Sequence, residues 1–406
     1  MMRLCLIVLG LLAVLPAFAN GLGGRVKLEA FAYDAGADSP DAVIGYRRSS
    51  ALAGQLRLAY DRAWDRWQLN AAWQVDARHG SAVARDRLLG DVATPTDWWW
   101  LRDTAVDGER TRVEQRFDRL NVGYTGRTVV ARLGRQALTW GSGMVFHPMD
   151  LVNPFQPVAT DTAYKRGADM AWVQWLMNDG SDVQGVVVPH RRRDSTLPDA
   201  DRPTTAVLAN IVGGPLQWTL LGAKDRADTT VGIGVSGPAG STVWNLEVVP
   251  TRLGDGGTRT TWLGNLNYAT VVDGHNLTLF AEYYRNGFGM AGDNYTVASL
   301  APALVARLQQ GERFVTGRDY LAAGARWSWT PLVELEPTLI VNLRDRSGLF
   351  DCQLAWSLSD NATVKGGVRL AMGPRGSEFG GLEIMPGAGQ YLARPSQAFV
   401  RWEAYF

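Results

Sequence analysis

The stretch Gln397–Phe406, QAFVRWEAYF, decides the fold. Taken with a period of two, Ala398, Val400, Trp402, Ala404 and Phe406 fall on one face, and Phe399, Arg401, Glu403 and Tyr405 fall on the other. One face suits hydrocarbon and the other tolerates charge. Such a strand fits the closing position of a β-barrel in a membrane; the competing reading is an edge strand of a soluble sheet.

The same dyad recurs upstream. In Trp67–Arg78, Trp67, Leu69, Ala71, Trp73, Val75 and Ala77 alternate with Gln68, Asn70, Ala72, Gln74, Asp76 and Arg78. A helix would scatter those apolar residues round its axis, whereas a strand gathers them on one face. Further runs of about ten residues, the length of a tilted membrane strand, occur at Val26–Ala32, Leu52–Tyr60, Trp244–Val248, Leu277–Tyr283, Leu321–Trp329, Leu335–Leu343, Phe350–Leu358 and Ala362–Met372. Weaker ones lie around Leu120–Tyr124, Val129–Leu133, Met170–Leu176, Val183–Val188, Ala206–Ile211, Leu216–Gly222, Val231–Val235 and Trp262–Thr270. The sum is roughly 18 strands, and an even number places both termini in the periplasm.

The connectors alternate too. Short ones rich in Gly, Pro, Asn and Asp, such as Asp61–Arg66, Gly213–Pro215 and Asp273–Asn276, separate longer segments: Ala35–Arg48, His79–Thr111, Arg135–Gly167, His190–Pro203, Arg285–Arg318 and Pro374–Pro395. A propeller or sandwich would also give many short strands, but not this asymmetry of turns and loops. The expected fold is all-β, a single transmembrane antiparallel β-barrel over 20–406.

Residues 1–19 form an expected signal peptide: Arg3, an apolar run over Leu4–Leu15, and the A-x-A site Ala17-Phe18-Ala19. No later window offers the ~20 apolar residues of a membrane helix. Cys5 leaves with the signal, so Cys352 stands alone and no intrachain disulfide forms. Without Arg3, 40 Lys+Arg face 40 Asp+Glu, a balance with no global field to recruit nucleic acid. The 45 Gly and 16 Trp suit tight turns and interfacial aromatic girdles.

The terminal strand, with its last Phe406, resembles that of Gram-negative outer-membrane proteins, where the final Phe belongs to the signal read by the insertion machinery. Gly134-Arg135-Gln136, followed by Trp140-Gly141, Pro148–Asp150 and Asn153-Pro154, resembles a pattern in porin-like outer-membrane channels of the alginate-export type and related barrels. The resemblance covers about 35 residues and the barrel layout. It implies a channel in the outer membrane of a Gram-negative bacterium, bathed in outer-membrane lipid and lipopolysaccharide, with an inner-membrane export partner left open. Alginate exporters have a strongly electropositive pore, and the balanced charge here departs from that.

The loop Arg135–Gly167 is the most unusual segment. Trp140, Phe146 and Phe155, with Pro148, Pro154 and Pro157, make it too apolar for a purely external loop, and Gly141, Asp150 and Asn153 belong to the same candidate constriction. It either folds into the lumen as a constriction or packs over the barrel as a lid; its apolar content favours constriction. By parity with an outward Ala398, a basic wall forms near the seam from Lys27, Arg57, Arg119, Arg132, Lys365, Arg369 and Arg401, with Arg25 and Glu29 beside them. Either this wall concentrates anions, or its cations pair with Asp76, Glu282, Glu336 and Asp351 and only hold the barrel round.

Catalytic signals are weak. His79, His147, His190 and His275 lack metal-ligand spacing, and neither a G-x-S-x-G elbow nor an H-E-x-x-H motif occurs. His147 and Asp150 fit a Pro-rich turn better than a dyad. Val297–Gln310 carries helical apolar spacing, and His190–Arg193 is a basic loop suited to lipopolysaccharide phosphate. The expectation is therefore a non-enzymatic channel without cofactor or metal, passing a polar solute, with an anionic one in view. The alternatives are a barrel enzyme or a plugged structural barrel of envelope maintenance.

Overall fold

A sheet patterned apolar–polar across its whole width must stack on another sheet or close on itself, because one face rejects water. This one closes. The structure is a computed structural model and describes residues 21–90, 97–152, 154–157, 161, 163–191 and 198–406. The expected signal segment, Asn153 and Arg192-Arg193 lie outside those residues.

Eighteen strands build the barrel. They are β1 (Leu22–Asp34), β2 (Arg48–Trp64), β3 (Trp67–Gly80), β4 (Thr111–Thr125), β5 (Val129–Gln136), β6 (Ala168–Leu176), β7 (Asp182–Arg191), β8 (Pro198–Gly213) and β9 (Leu216–Asp225). The second half is β10 (Asp228–Ala239), β11 (Thr242–Arg252), β12 (Thr258–Val272), β13 (His275–Arg285), β14 (Asp319–Thr330), β15 (Val333–Asn342), β16 (Ser347–Ser359), β17 (Ala362–Met372) and β18 (Ser396–Tyr405). Each pairs antiparallel with its sequence neighbour, and β1 pairs with β18 from Arg25↔Tyr405 to Asp34↔Ser396. That seam leaves no open edge. Every strand expected from the sequence is present.

The short turns, the start of β1 and the end of β18 share one end of the barrel. Asp273 (φ 51°) and Gly274 (φ 82°) show why such turns are short: two successive left-handed residues match the twist of a hairpin. The outer wall is an apolar band, with Leu133, Trp175 and Val400 each at least 60% exposed. Cys352 opposes the outward Val368 and is free.

The long-loop end carries structure that alternation does not announce. Helix α1 (Pro40–Val43) and helix α2 (Ser81–Leu89) lie there, and a strand at Arg102–Asp107 pairs with the outer part of β4. The expected helix over Val297–Gln310 is split into a 3₁₀ turn, Val297–Ser299, and α3 (Pro302–Gln310). Pro302 suits a first helical turn, and Gly311 at φ 72° stops it. Its Leu304 is buried with Leu253 and Phe288, so α3 lies on the rim. Among the described residues no helix is long and apolar enough to cross a membrane.

Candidate functional site: a loop-filled lumen and its basic wall

The inner face of the barrel has two chemistries. From β6 to β11 it presents Met170, Val186, Val188, Leu208, Leu221 and Val249, all buried. From β12 to β16 it adds Leu263, Tyr284, Tyr320, Ile340 and Leu349. Inward apolar side chains are stable only if something other than water covers them. The described residues of the segment 137–167 do so. Trp140, Met149 and Val152 join the first cluster, and Val145 and Phe146 join the second. The Phe146 ring stacks on Tyr284 at 4.2 Å between centroids, 9° from parallel, and lies 5.6 Å from Tyr320. Contacts with the inward faces of β6 to β16 can be made only from inside the barrel.

Polar anchors fix the loop where its backbone would otherwise be buried unpaired. The Glu282 carboxylate on β13 accepts from the backbone N–H of Met144 (2.6 Å), Val145 (3.1 Å) and Phe146 (2.8 Å). Glu247 on β11 accepts from the N–H and hydroxyl of Ser142 at 2.5 and 2.7 Å. Asn265 donates to the Ser142 carbonyl, and Trp140 Nε1 donates to Gln184 at 2.9 Å. Gly141, at φ 93°, sits where a Cβ would lie 3.1 Å from Glu247.

The loop's own fold is internally braced. Asp150 pairs with Lys165, which also donates to the Leu138 carbonyl. Burial raises the Asp150 carboxyl to about 6 despite Lys165. Burial, then Lys165, lowers His147 to about 4. The 147–150 turn closes through Asp150 N–H to His147 O at 3.2 Å, so these two residues form a turn rather than a dyad. Pro148 and Pro154 are buried, and the Phe155 ring lies 5.9 Å from Lys165 Nζ.

The motif Gly134-Arg135-Gln136 launches the loop. A Cβ on Gly134 would lie 2.2 Å from the Leu120 carbonyl. Arg135 forms a buried pair with Asp169 at 2.8 Å and donates to the Phe117 and Trp99 carbonyls, while Gln136 donates to Met170 O. These three residues position the loop.

Opposite the apolar wall stand the seam strands. Arg401 pairs with Glu29 at 2.5 Å, Lys365 with Glu403 at 2.9 Å, and Arg369 with Asp351 at 3.0 Å. Arg57 and Arg119 share Asp118 at 2.6 and 2.7 Å, and Lys27 meets Asp161 at 2.8 Å. Arg132 lies over the Trp172 ring at 5.5 Å. Arg25, directly opposite Arg57, reaches Asp161 and Glu403. The loop crosses to this wall: Asp161 comes from it, and its Tyr164 ring lies 4.9 Å from Arg25 and 4.3 Å from Arg57. Burial opposes the ionisation of Asp161, but its bonds to Arg25 and Lys27 win and hold it well below the usual carboxylate range.

The seven residues expected to line the lumen lie on β17, β18, β1, β2, β4 and β5; Arg57 and Arg401 are buried among their partners, and the other five are half-buried or exposed. Of the four expected partners, only Asp351 pairs with one of them. Glu282 holds the loop, Glu336 binds Arg326, and Asp76 binds Gln55, Gln74 and Arg116. Glu247, Asp118 and Asp161 were not foreseen. Arg191 of the basic loop donates to the Trp98 carbonyl and faces Trp100. Among the described residues no cluster of His, Cys, Asp or Glu is arranged to hold a metal.

No model of a protein family and no curated protein matches the sequence. Solved structures do match. Acinetobacter baumannii OccAB3 is 9% identical with a TM-score of 0.54, covering 95% of this chain and 99% of its own. Pseudomonas aeruginosa OccK5 (OpdH) is also 9% identical, at TM-score 0.56, covering 95% and 98%. A BenF-like porin from Pseudomonas fluorescens Pf-5 is 8% identical, at TM-score 0.56, covering 96% and 99%. The resemblance to alginate-export channels is not supported by these matches; of the residues that suggested it, Arg135, Gln136, Trp140 and Asp150 brace the loop. The chain has the fold of an outer-membrane porin, an 18-stranded closed barrel of the kind seen in these Pseudomonas and Acinetobacter proteins.

Proposed function

We propose that the protein is a diffusion channel of the Gram-negative outer membrane, passing a small polar solute, with anions favoured, between an inward-folded loop and a basic wall. The termini then face the periplasm. The observation that carries this reading is the division of the lumen: one inner wall is apolar and covered by 137–167, and the other is left charged. Among the described residues of the charged wall, the cations Arg25, Lys27, Arg57, Arg116, Arg119, Arg132, Lys365, Arg369 and Arg401 outnumber the carboxylates Glu29, Asp76, Asp118, Asp161, Asp351 and Glu403. Ion pairs keep the side chains extended along the wall, and the surplus of positive charge raises the local anion concentration. Trp140, Phe146, Pro148 and Phe155 serve as the body of the constriction, and Asp161 and Tyr164 as its far end.

The BenF-like porin shares this fold, which supports a channel over an enzyme. The test is ion selectivity in planar bilayers. Lys365→Glu with Arg369→Glu turns an anion-favouring reversal potential into a cation-favouring one. Unchanged selectivity contradicts the anion path, and absence of current from the folded wild type favours a plugged barrel.

A further inference from the structure

A cleft of about 770 Å³ opens on the outer wall at the long-loop end, over β11 to β13. Its floor is apolar and outward-facing: Leu246, Trp262, Gly264 and Tyr283. In the register Leu246 opposes Gly264, which opposes Tyr283, and the missing side chain at 264 makes the hollow; a Cβ there would already lie 3.1 Å from Leu246. Its upper margin is polar and cationic, formed by Thr258, Thr260, Arg259, Arg285 and Arg318.

The charges do not cancel. Arg285 shares Asp319 with Arg344, at 3.3 and 2.5 Å, so two guanidinium groups draw on one carboxylate. Among the described residues, Arg318 Nε donates only to the Gly289 carbonyl, and Arg259 only to its neighbour's carbonyl at Thr258. Neither forms an ion pair among the described residues. Guanidinium groups bind phosphate bidentately, and an apolar trough beneath them accepts an acyl chain.

We propose that this cleft binds an anionic, phosphate-bearing glycolipid of the outer leaflet, with the chemistry of lipopolysaccharide. Its phosphate lies among Arg259, Arg285 and Arg318, and one acyl chain lies over Leu246, Gly264 and Trp262. The site rests on the outer-membrane placement but is separate from the lumen, because its floor is the opposite face of the same strands.

The test uses the whole refolded barrel in zwitterionic detergent, with bound lipid counted by native mass spectrometry. The probes are bis-phosphorylated lipid A, its dephosphorylated form, phosphatidylcholine and inorganic phosphate. Wild type binds bis-phosphorylated lipid A at least tenfold more tightly than the dephosphorylated form. Arg259→Glu with Arg318→Glu removes that preference, and Gly264→Leu weakens both lipid A forms while leaving phosphatidylcholine unchanged. Arg259→Glu alone, at an exposed position, gives a smaller loss in the same direction. Equal binding in the variants overturns the proposal, as does displacement of lipid A by equimolar inorganic phosphate. Heat-modifiable gel migration shows that each variant is folded. Wild-type conductance in the variants assigns any failure to the lipid site alone, whereas a wild type that carries no current removes the channel reading instead.

Discussion

Glu282 faces the lumen yet has no cation within ion-pair distance among the described residues; its carboxylate takes three consecutive loop N–H groups. Hydrogen bonds to a charged acceptor contribute about 1.5–3 kcal/mol, and a buried donor left without one costs about 1–3 kcal/mol. Glu282→Ala strands those donors on Met144, Val145 and Phe146. Single-channel recordings of this variant should show larger and noisier current than wild type, with the barrel still folded; a quiet wild-type level means that the apolar seat holds the loop without this anchor. The sequence shows Glu282 as an inward acid but not what it binds, because its partners are backbone atoms more than 130 positions away. Asp118 was hidden for another reason. The β3–β4 register shifts between Ala72 and Trp73, so Arg119 opposes Ala72, Phe117 opposes Trp73, and Asp118 is bulged out between them. The bulge turns Asp118 and Arg119 inward together, which strict alternation forbids.

Strands were legible because a membrane barrel leaves each one two solvents, and the period-two pattern records both. Loops obey no such rule. The Arg102–Asp107 strand and α2 depend on docking to β4 and β2, and Pro302 restarts a helix that apolar spacing drew as continuous. The inner wall was half legible: the basic side follows from parity, but the apolar side shows its purpose only once the loop lies on it. β10 makes this concrete. Its inward Gly232 and Gly234 leave room for Met149, whose Cε lies 3.3 and 3.2 Å from where their Cβ atoms would stand. Gly234→Leu overfills that seat at a cost of about 1–3 kcal/mol. Urea unfolding should show the loss and bilayer recording a raised conductance, while Gly234→Ala stays near wild type. If the leucine variant conducts as wild type does, Met149 does not hold the loop against β10.

At the scale of the whole molecule, the barrel is a continuous wall divided between two tasks. The strands from β6 to β16 seat the loop, and β17, β18, β1, β2, β4 and β5 carry the basic residues. Closure through β1 and β18 brings Arg25, Lys27 and Glu29 beside Arg401 and Glu403, residues from opposite ends of the chain. Passage is then set by how far the loop reaches toward that wall. Single-channel conductance of the refolded protein, compared with a variant in which Thr139–Pro157 is shortened to a Gly-Ser link, measures this directly. The account predicts a severalfold rise in conductance on shortening, with the barrel still heat-modifiable; equal conductance in the two proteins would contradict it.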